Sequence, residues 1–356
     1  MIPLAQTTAV FTDIFWMTIG AIFLVAIVTA VIQTRQKDRV LKLVDDHHVT
    51  LVMNDGRAIW GDLHVFSQGV ELIYRPQTVQ PASGRPAARS YMIYQHELGS
   101  VVGVVRYLGG LSEAERRQRH RQIRRSFRPG PVRRARRTTR NLFNTIKDAF
   151  AQALSAIVGA LAKTGGSAFV QSQQGRVDQV GQTLLNQVGQ SYEPMLERHI
   201  GSPVLLDLSV PAGEATVGSG PLELPGYLAE YSEKFIALFN VDQPEGEAFE
   251  LSLDGPTETE SLALRVEPRP AVVNRSARPL VMASMTSGAG ETLEIGAVLL
   301  RGVRGELPAR PDAGAKVALR WLERVDIVCP RQSGVARHAA AEAAVSDGAD
   351  AARVDA

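Results

Sequence analysis

The hydrophobic pattern of the chain starts with one long apolar run and continues as short alternating runs. Within residues 10–32 the only charge is Asp13, and the next 19 residues, Ile14 to Ile32, carry none. That length is close to the roughly 20 apolar residues with which a helix crosses a bilayer. The pattern therefore predicts one transmembrane helix at residues 10–32, after a short extracytoplasmic N-terminus at residues 1–9.

The charges around this run predict its orientation. The basic residues Arg35, Lys37 and Arg39 follow the run, and none precedes it. Basic residues collect on the cytoplasmic side of membrane helices, whereas a cleaved signal peptide carries them before its apolar run. We therefore expect a single-pass protein of a bacterial-type inner (cytoplasmic) membrane, with its N-terminus outside and its C-terminal bulk in the cytoplasm.

The segment 44–106 shows the period of two that is typical of β-strands. Val49, Leu51 and Met53 alternate along a first strand, which ends at the turn sequence Asn54-Asp55-Gly56. Glycine accepts the positive φ of such turns, and a glycine inside a strand marks a bend or bulge. The glycines expected to define turns and bends are Gly56, Gly61 and Gly69, and Gly226 in a later segment.

This segment resembles the Sm-like small β-barrel. The resemblance lies in an apolar strand followed by Gly56, by Gly61-x-Leu63 and by Gly69-Val70-x-Leu72. It implies a strongly curved small barrel of the SH3/Sm type over residues 44–106. Members of that family close rings through edge-strand pairing, so the resemblance also implies a homo-oligomer. An exposed sheet edge is in any case a template for association.

A second copy of the pattern starts 165 residues later. The residues from Gly61 to Tyr74 align without a gap with those from Gly226 to Phe239, with matching glycine, leucine, aromatic and serine positions. Chance agreement and a helix of similar spacing are the alternatives. We expect strands, because the proline and glycine at positions 225 and 226 fit poorly inside a helix. The expected second small barrel covers residues 201–275, with the repeat itself within 201–270.

Between the two predicted barrels lies a basic, amphipathic helical segment at residues 111–200. Ser112 and Glu115 form the capping-box pattern that starts a helix, and twelve arginines fall between Arg116 and Arg140. Apolar residues with helical spacing follow within residues 141–165. The arginines that we expect to contact an anionic partner are Arg116, Arg117, Arg119, Arg121, Arg124, Arg125, Arg133, Arg134, Arg136, Arg137 and Arg140.

The expected partner of these arginines is the anionic headgroup layer of the lipid bilayer, because each basic residue near such a surface contributes roughly 1 kcal/mol. Nucleic acid is a second hypothesis, although aromatic side chains for base stacking are nearly absent there. A solvated charged face or a subunit contact is a third. The pattern does not decide whether residues 141–165 insert into lipid.

The rest of the chain predicts further β structure and then a tail. Short apolar or alternating runs, separated by glycine, proline and acidic turns, extend to Cys329, as in all-β proteins. The first runs are expected to complete the second barrel, and residues 276–330 are expected to form a β extension. Residues 331–356 offer little apolar surface to bury, which predicts a disordered tail.

The sequence lacks the motifs by which common enzymes are recognised. It has no phosphate-binding glycine-rich loop with its lysine, no nucleophile elbow and no zinc-type cysteine spacing. The single cysteine, Cys329, excludes an intrachain disulfide and is expected to be buried. In the row Asp45-Asp46-His47-His48, neighbouring side chains of a strand would point to opposite faces, which argues against one shared metal ion. We therefore expect no catalysis, cofactor or metal site.

The predicted fold is a membrane-anchored, mainly β protein with helices. Its expected function is that of an inner-membrane scaffold or assembly protein, which oligomerises through its small barrels and contacts the anionic membrane surface. Small-conductance mechanosensitive channels also place a Sm-like barrel after a membrane helix, so a channel component is one alternative. The other is a membrane-tethered nucleic-acid-binding protein that uses the arginines between Arg116 and Arg140.

Overall fold

The computed structural model describes residues 37–75, 89–127, 193–210, 220–241, 244–266, 269–308 and 311–339. Strands occupy most of this part of the chain, together with two α-helices and short 3-10 turns. The helices are α1 (Glu113–Phe127) and α2 (Pro194–Arg198). The strands are β1 (His47–Met53), β2 (Arg57–Phe66), β3 (Gly69–Ile73), β4 (Ser90–Tyr94), β5 (Val101–Arg106), β6 (Pro203–Leu208), β7 (Leu222–Tyr231), β8 (Phe235–Phe239), β9 (Glu245–Ser252), β10 (Thr257–Glu258), β11 (Leu262–Arg265), β12 (Ala271–Asn274), β13 (Leu280–Thr286), β14 (Thr292–Leu299), β15 (Arg304–Glu306), β16 (Lys316–Leu322), β17 (Asp326–Pro330) and β18 (Gly334–Ala339).

Within the described ranges, no helix is long and apolar enough to cross a membrane. The longer helix, α1, has 15 residues and is rich in arginine, and α2 has five residues. This finding contradicts the predicted membrane-anchored fold, the single-pass inner-membrane location and the predicted orientation. Residues 1–9 and 10–32, on which that prediction rested, lie outside the described residues, as do residues 141–165.

A single sheet of 14 strands joins the two segments that were predicted to form separate barrels. Twelve strands follow in the order β10-β11-β12-β15-β2-β1-β5-β17-β8-β7-β6-β18, and β3 and β4 continue outward from β2. No closed barrel forms among the described strands. The prediction of two small barrels is therefore wrong, because β17 pairs on both sides, with β8 and with β5, and so continues one segment into the other.

The two segments nevertheless share one strand order. The first module, which we define as β1 to β5, has the order β5-β1-β2-β3-β4. The second module, defined as β6, β7, β8, β17 and β18, has the order β18-β6-β7-β8-β17. In each module the fifth strand lies beside the first, and the second, third and fourth strands follow in turn. This arrangement is the one that the predicted repeat requires.

Because β7 contains a bulge, the structural alignment of the two modules has a gap of one residue, unlike the gap-free sequence alignment. β2 and β7 are both ten residues long, but the pairing of β7 with β8 shifts register between Leu228 and Glu230. Such a bulge inserts one residue opposite the partner strand. Structural equivalence therefore moves by one position in the third strand, where Val70 corresponds to Ile236 and not to Phe235.

Eight strands between β8 and β17 form an insertion in the second module. β9, β13, β14 and β16 build a separate four-stranded sheet, and β10, β11, β12 and β15 extend the main sheet. β15 joins it by pairing in parallel with the start of β2. The predicted boundaries 201–275 and 276–330 are therefore wrong, because β17 and β18 complete the second module, whereas the strands directly after β8 do not.

The end of the described chain also differs from the prediction. Residues 331–356 were expected to be a disordered tail, but residues 334–339 form β18 and pair with β6. Pairing with β6 orders this segment, although its weakly apolar sequence by itself predicts disorder. Residues 340–356 lie outside the described part of the chain.

Two glycines are required by the geometry of the first module. Gly56 has a φ of +80° in the turn between β1 and β2, a conformation that other residues rarely adopt. A Cβ on Gly61, within β2, would collide with the backbone oxygen of Ile73 on β3. Gly69 begins β3, and Gly226 lies in β7.

The two modules bury their cores on opposite faces of the shared sheet. Val104 and Val328 lie side by side on the face that carries the first core. Val105 and Ile327 lie side by side on the face that carries the second. The strands at the junction, β5 and β17, are therefore buried on both faces.

Candidate functional site: the module junction and the sheet edges

The two modules meet by strand pairing within the chain. β5, the fifth strand of the first module, runs antiparallel to β17, the fourth strand of the second. Arg106 lies opposite Asp326, and Val104 lies opposite Val328. The contact therefore joins a fifth strand to a fourth strand, and every residue of both strands is buried.

A buried ionic network fixes α1 to this junction. The Asp326 carboxylate accepts hydrogen bonds from Arg106 Nη2 at 2.8 Å and from Arg119 Nε and Nη2 at 2.6 and 2.9 Å. It also accepts one from the backbone N–H of Asn240 at 2.9 Å. All three charged side chains are buried. Because buried charges must be paired, the network holds the helix in one position on the two strands.

The two arginines keep the Asp326 carboxylate ionised. Burial by itself would raise the pKa of Asp326, but the charges of Arg119 and Arg106, with the hydrogen bonds from Arg119 and the Asn240 backbone, lower it to about 2. Burial lowers the pKa of the nearby His47, and the charge of Arg106 lowers it further. At neutral pH the Asp326 carboxylate is therefore ionised, and the His47 imidazole is neutral.

The stability of the fold is expected to fall at acid pH because of Asp326. The pKa of Asp326 is about 2 in the folded chain against an ordinary value of 3.8. Its contribution, about 2 kcal/mol, is fully present above the ordinary value and is lost as pH falls through the folded-state value. Urea unfolding of the wild type and of Asp326→Asn between about pH 2 and pH 5 measures this term. The wild type should lose more stability than the variant, and equal pH slopes would contradict the assignment.

The junction covers the outer face of the second module, which is the face turned away from that module's own core. Residues of this face are Phe235, Ala237, Phe239 and Val328, each at most 3% exposed. They pack in one cluster with Val40, before β1, and with Ile123 of α1. The Arg106 guanidinium lies 4.6 Å from the centre of the Phe239 ring. The first half of the chain thus buries the outer face of β8 and β17.

The corresponding face of the first module is exposed. By the strand pairing of each module, Ile73 takes the place of Phe239, and Met92 takes the place of Val328. Ile73 is 38% exposed and Met92 is 58% exposed, whereas their counterparts are fully buried. Two further large apolar side chains beside them are exposed, Phe66 and Tyr94. Glu71 takes the place of Ala237 on this face and lies beside both Ile73 and Met92. The exposed apolar side chains therefore surround one charged residue, and a group of exposed apolar side chains marks an interaction site.

In the described part of the chain, β4 and β18 each have a partner strand on one side only. Among the described strands, β4 pairs only with β3, and β18 pairs only with β6. β4 is the fourth strand of the first module, and β18 is the fifth strand of the second. The internal junction likewise joins a fourth strand, β17, to a fifth strand, β5. Natural edge strands are commonly protected by charges or proline, but β4 contains neither. On β18, Val335 is exposed, but this strand also carries Arg337 and a bulge between Ala336 and His338.

The start of α1 agrees with the predicted capping box. The Ser112 hydroxyl accepts a hydrogen bond from the Glu115 N–H at 3.4 Å, and the Glu115 carboxylate accepts one from the Ser112 N–H at 2.6 Å. Its other oxygen accepts the backbone N–H of His48 at 3.0 Å. Burial would raise the pKa of Glu115, but these hydrogen bonds lower it. Glu115 therefore stays ionised and ties the helix to β1.

The arginines predicted to contact an anionic partner fall into three groups. Arg119 is buried and paired with Asp326, so its predicted role at the surface is wrong. Exposed positions on α1 are held by Arg116, Arg117, Arg121, Arg124 and Arg125. The residues outside the described part of the chain are Arg133, Arg134, Arg136, Arg137 and Arg140. The helix therefore carries both a structural and an exposed set of arginines.

His48 links the first module to the insertion. Its Nδ1 lies 3.0 Å from an Asp62 carboxylate oxygen, and its Nε2 lies 2.9 Å from the Ile295 carbonyl oxygen of β14. The hydrogen bond with His48 lowers the pKa of Asp62 in spite of partial burial, and Arg75 adds to this effect. These contacts place β14 against the outer side of β1.

Contacts within the fold also engage the other polar residues that the sequence singled out. The ligand atoms of Asp45, Asp46 and His64 lie within 4.8 Å of one another. However, Asp45 pairs with Lys37 at 3.1 Å, and Asp46 pairs with His64 at 2.8 Å. The Cys329 thiol is buried, and burial raises its pKa, which keeps it protonated and unreactive.

No family model, curated protein or solved structure matches this chain. The function is therefore inferred from the geometry of the junction and the edges. Sequence patterns did not single out Arg106 or Asp326, although each is a charged residue in an apolar run, VVGVVR and VDIVCP. A charged residue inside an apolar run is rarely buried unless it is paired. Searching the sequence for such residues could therefore have found the network.

Proposed function

We propose that this protein is a self-assembling scaffold whose copies join head to tail, with β4 of one chain pairing with β18 of the next. One observation carries the proposal: four large apolar side chains on the outer face of the first module are exposed, whereas the outer face of β8 and β17 in the second module is buried by the internal junction. Burial of apolar surface is the main driving force of association. A second copy is the occupant that fits, because it supplies the kind of strand that covers this face within the chain.

The internal junction also supplies the expected register. Val104 of β5 corresponds to Ala336 of β18, because the two residues lie opposite equivalent positions in the first strands, β1 and β6, of their modules. Val328 of β17 corresponds to Met92 of β4. Since Val104 lies opposite Val328, Ala336 is expected opposite Met92 of the next chain, in antiparallel orientation.

The segment that precedes each module supports the same contact. Val40 lies nine residues before Val49, and Met195 lies nine residues before the corresponding Val204. Val40 is fully buried in the cluster that includes the outer face of the second module, whereas Met195 is 74% exposed. In the proposed contact, Met195 covers the first module of the next chain as Val40 covers the second module here.

The proposed contact is heterologous, because its two surfaces differ. Repeated heterologous contacts close into a ring when the rotation between copies allows closure, and otherwise they grow into a filament. The proposed contact lacks the buried charge pair of the internal junction. Ser90 of β4 occupies the position equivalent to Asp326, and Ala339 of β18 occupies the position equivalent to Arg106. Assembly is therefore expected to be weaker than the internal junction and reversible.

Variants that block one edge each test the proposal. Met92→Lys on β4 and Val335→Lys on β18 add a charge to one edge, a device by which natural proteins prevent strand pairing. The wild type is expected to exceed its chain mass of 38.6 kDa in light scattering after size exclusion. Each variant alone should be monomeric. Their equimolar mixture should stop at a dimer, because only one intact edge of each kind is left.

A matched control adds the same charge away from both edges. Thr292→Lys changes an exposed residue of β14, and this variant should assemble like the wild type. Circular dichroism establishes that each variant is folded. A monomeric wild type, or a mixture of the two edge variants that stays monomeric, would overturn head-to-tail assembly.

A further inference from the structure

One face of α1 is densely cationic. The buried positions of the helix are Arg119, Ile123 and Ser126. Its exposed cationic positions are Arg116, Arg117, Arg121, Arg124 and Arg125. The exposed acidic residue of the first turn, Glu113, lies 3.7 Å from Arg117. The helix therefore turns one side to the core and almost uniform positive charge to solvent.

The helix presents this face in a fixed orientation. Arg119 anchors its middle to Asp326. Phe127 anchors its end, with its ring centre 5.2 Å from that of Tyr227. The capping box of Glu115 fixes its start. An array that is preorganised in this way loses less conformational freedom on binding.

We propose that this face binds the phosphate backbone of a nucleic-acid duplex without reading its bases. Five exposed arginines lie between positions 116 and 125. At 1.5 Å of rise per residue they cover about 14 Å of helix axis, or about one positive charge per 3 Å. A duplex carries one negative charge per about 1.7 Å of axis, so two surfaces with a high density of opposite charge meet.

The chemistry of the face favours phosphate. Its permanently charged groups are all arginine, and α1 contains no lysine. A guanidinium group can donate two parallel hydrogen bonds to phosphate oxygens. The apolar side of α1, with Ile123, is buried in the core, so it is not available to enter lipid. Phe127 is used against Tyr227, which leaves the described helix without an exposed phenylalanine, tyrosine or tryptophan ring to stack on bases.

The sequence after the helix continues with the same charge. Six further arginines follow between positions 128 and 140, outside the described residues. The inference rests on α1 alone. It is independent of head-to-tail assembly, because it uses no residue of β4 or β18.

Binding of the full chain to a short DNA duplex, followed by fluorescence anisotropy, tests the inference. Each phosphate contact contributes a slope of about −0.9 to log K against log salt. The triple variant Arg117→Gln, Arg121→Gln, Arg124→Gln is expected to flatten this slope by about 2.7 and to weaken binding at least about tenfold at moderate salt. Duplexes of unrelated sequence should bind equally well, and strong preference for one sequence contradicts binding without base readout.

A second triple variant removes the same charge elsewhere. Arg265→Gln, Arg269→Gln and Arg304→Gln change exposed residues of the insertion, and this variant should keep the wild-type affinity and slope. Equal losses in both triple variants, or a wild type that does not bind duplex at low salt, would refute the inference. Tighter binding to phosphatidylserine vesicles than to duplex at the same salt would refute it as well and assign the face to a lipid surface.

Discussion

Asp326→Asn is expected to destabilise the chain by about 3–5 kcal/mol, the usual effect of removing one partner from a buried ionic network. Arg106 and Arg119 both donate to this carboxylate, and both would lose their counter-ion. Asparagine has nearly the shape of aspartate, so the change removes charge and leaves packing almost intact. Because a typical fold is stable by about 5–15 kcal/mol, the variant should lose a large fraction of its stability.

Chemical unfolding followed by circular dichroism measures this loss as a lower midpoint with an unchanged slope. Glu250→Gln is the control, because its pair with Lys316 has an N–O distance of 3.1 Å but both side chains are more than half exposed. Exposed pairs contribute about 0–1 kcal/mol. If Asp326→Asn cost no more stability than Glu250→Gln, the junction would not depend on the buried network.

Features of the fold that depend on near neighbours in the sequence were predictable. β2 and β7 lie where alternation and the turn glycines predict strands, and Ser112 with Glu115 starts α1 as predicted. These features follow from interactions within a few residues. The bulge near Leu228 was not predicted, because one inserted residue hardly changes a short alternating pattern.

The other features of the fold depend on pairing between strands that are far apart in the sequence. Eight strands separate β17 from β8, so no local pattern identifies β17 as the fourth strand of the second module. β18 has the weakly apolar sequence GVARHA and is ordered by pairing with β6, where Arg337 also lies 2.8 Å from Asp207. The membrane prediction rested on the hydropathy of residues 10–32 alone, and the described helices are short or rich in arginine.

Helical spacing could have predicted that Arg119 is buried, but not which residue it pairs with. The prediction treated the eleven arginines that it named between Arg116 and Arg140 alike, because their charge is the same. Ile123 is the apolar residue that marks the buried side of α1, and Arg119 precedes it by one turn on the same side. Spacing around Ile123 would therefore have set Arg119 apart. Its partner Asp326 is 207 residues away, and only the fold brings the two together.

The charge pair of the internal junction is expected to control assembly when it is placed at the free edges. Ser90→Asp puts a carboxylate on β4 at the position that Asp326 holds in β17, and Ala339→Arg puts a guanidinium on β18 at the position of Arg106. Either change alone would bury an unpaired charge in the proposed contact. Such a charge costs about 2–5 kcal/mol, which raises the Kd at least about thirtyfold.

The double variant is expected to restore assembly and to exceed the wild type, because the carboxylate and the guanidinium then face each other as they do in the junction. Sedimentation velocity over a range of concentrations gives the Kd of the wild type, both single variants and the double variant. From these values a double-mutant cycle yields the coupling between positions 90 and 339, expected to be at least about 1 kcal/mol.

A second pair of changes tests the register. Met92→Asp with Ala339→Arg places the carboxylate two residues further along β4 on the same face, where the proposed pairing sets it opposite Ala336 and away from the guanidinium. Its coupling should be well below that of the first pair, because residues directly opposite in antiparallel strands lie about 5 Å apart and diagonal neighbours about 7–8 Å apart. Equal coupling in the two pairs would mean that charge balance alone drives the association, and the strand pairing of the internal junction would then not be repeated between chains.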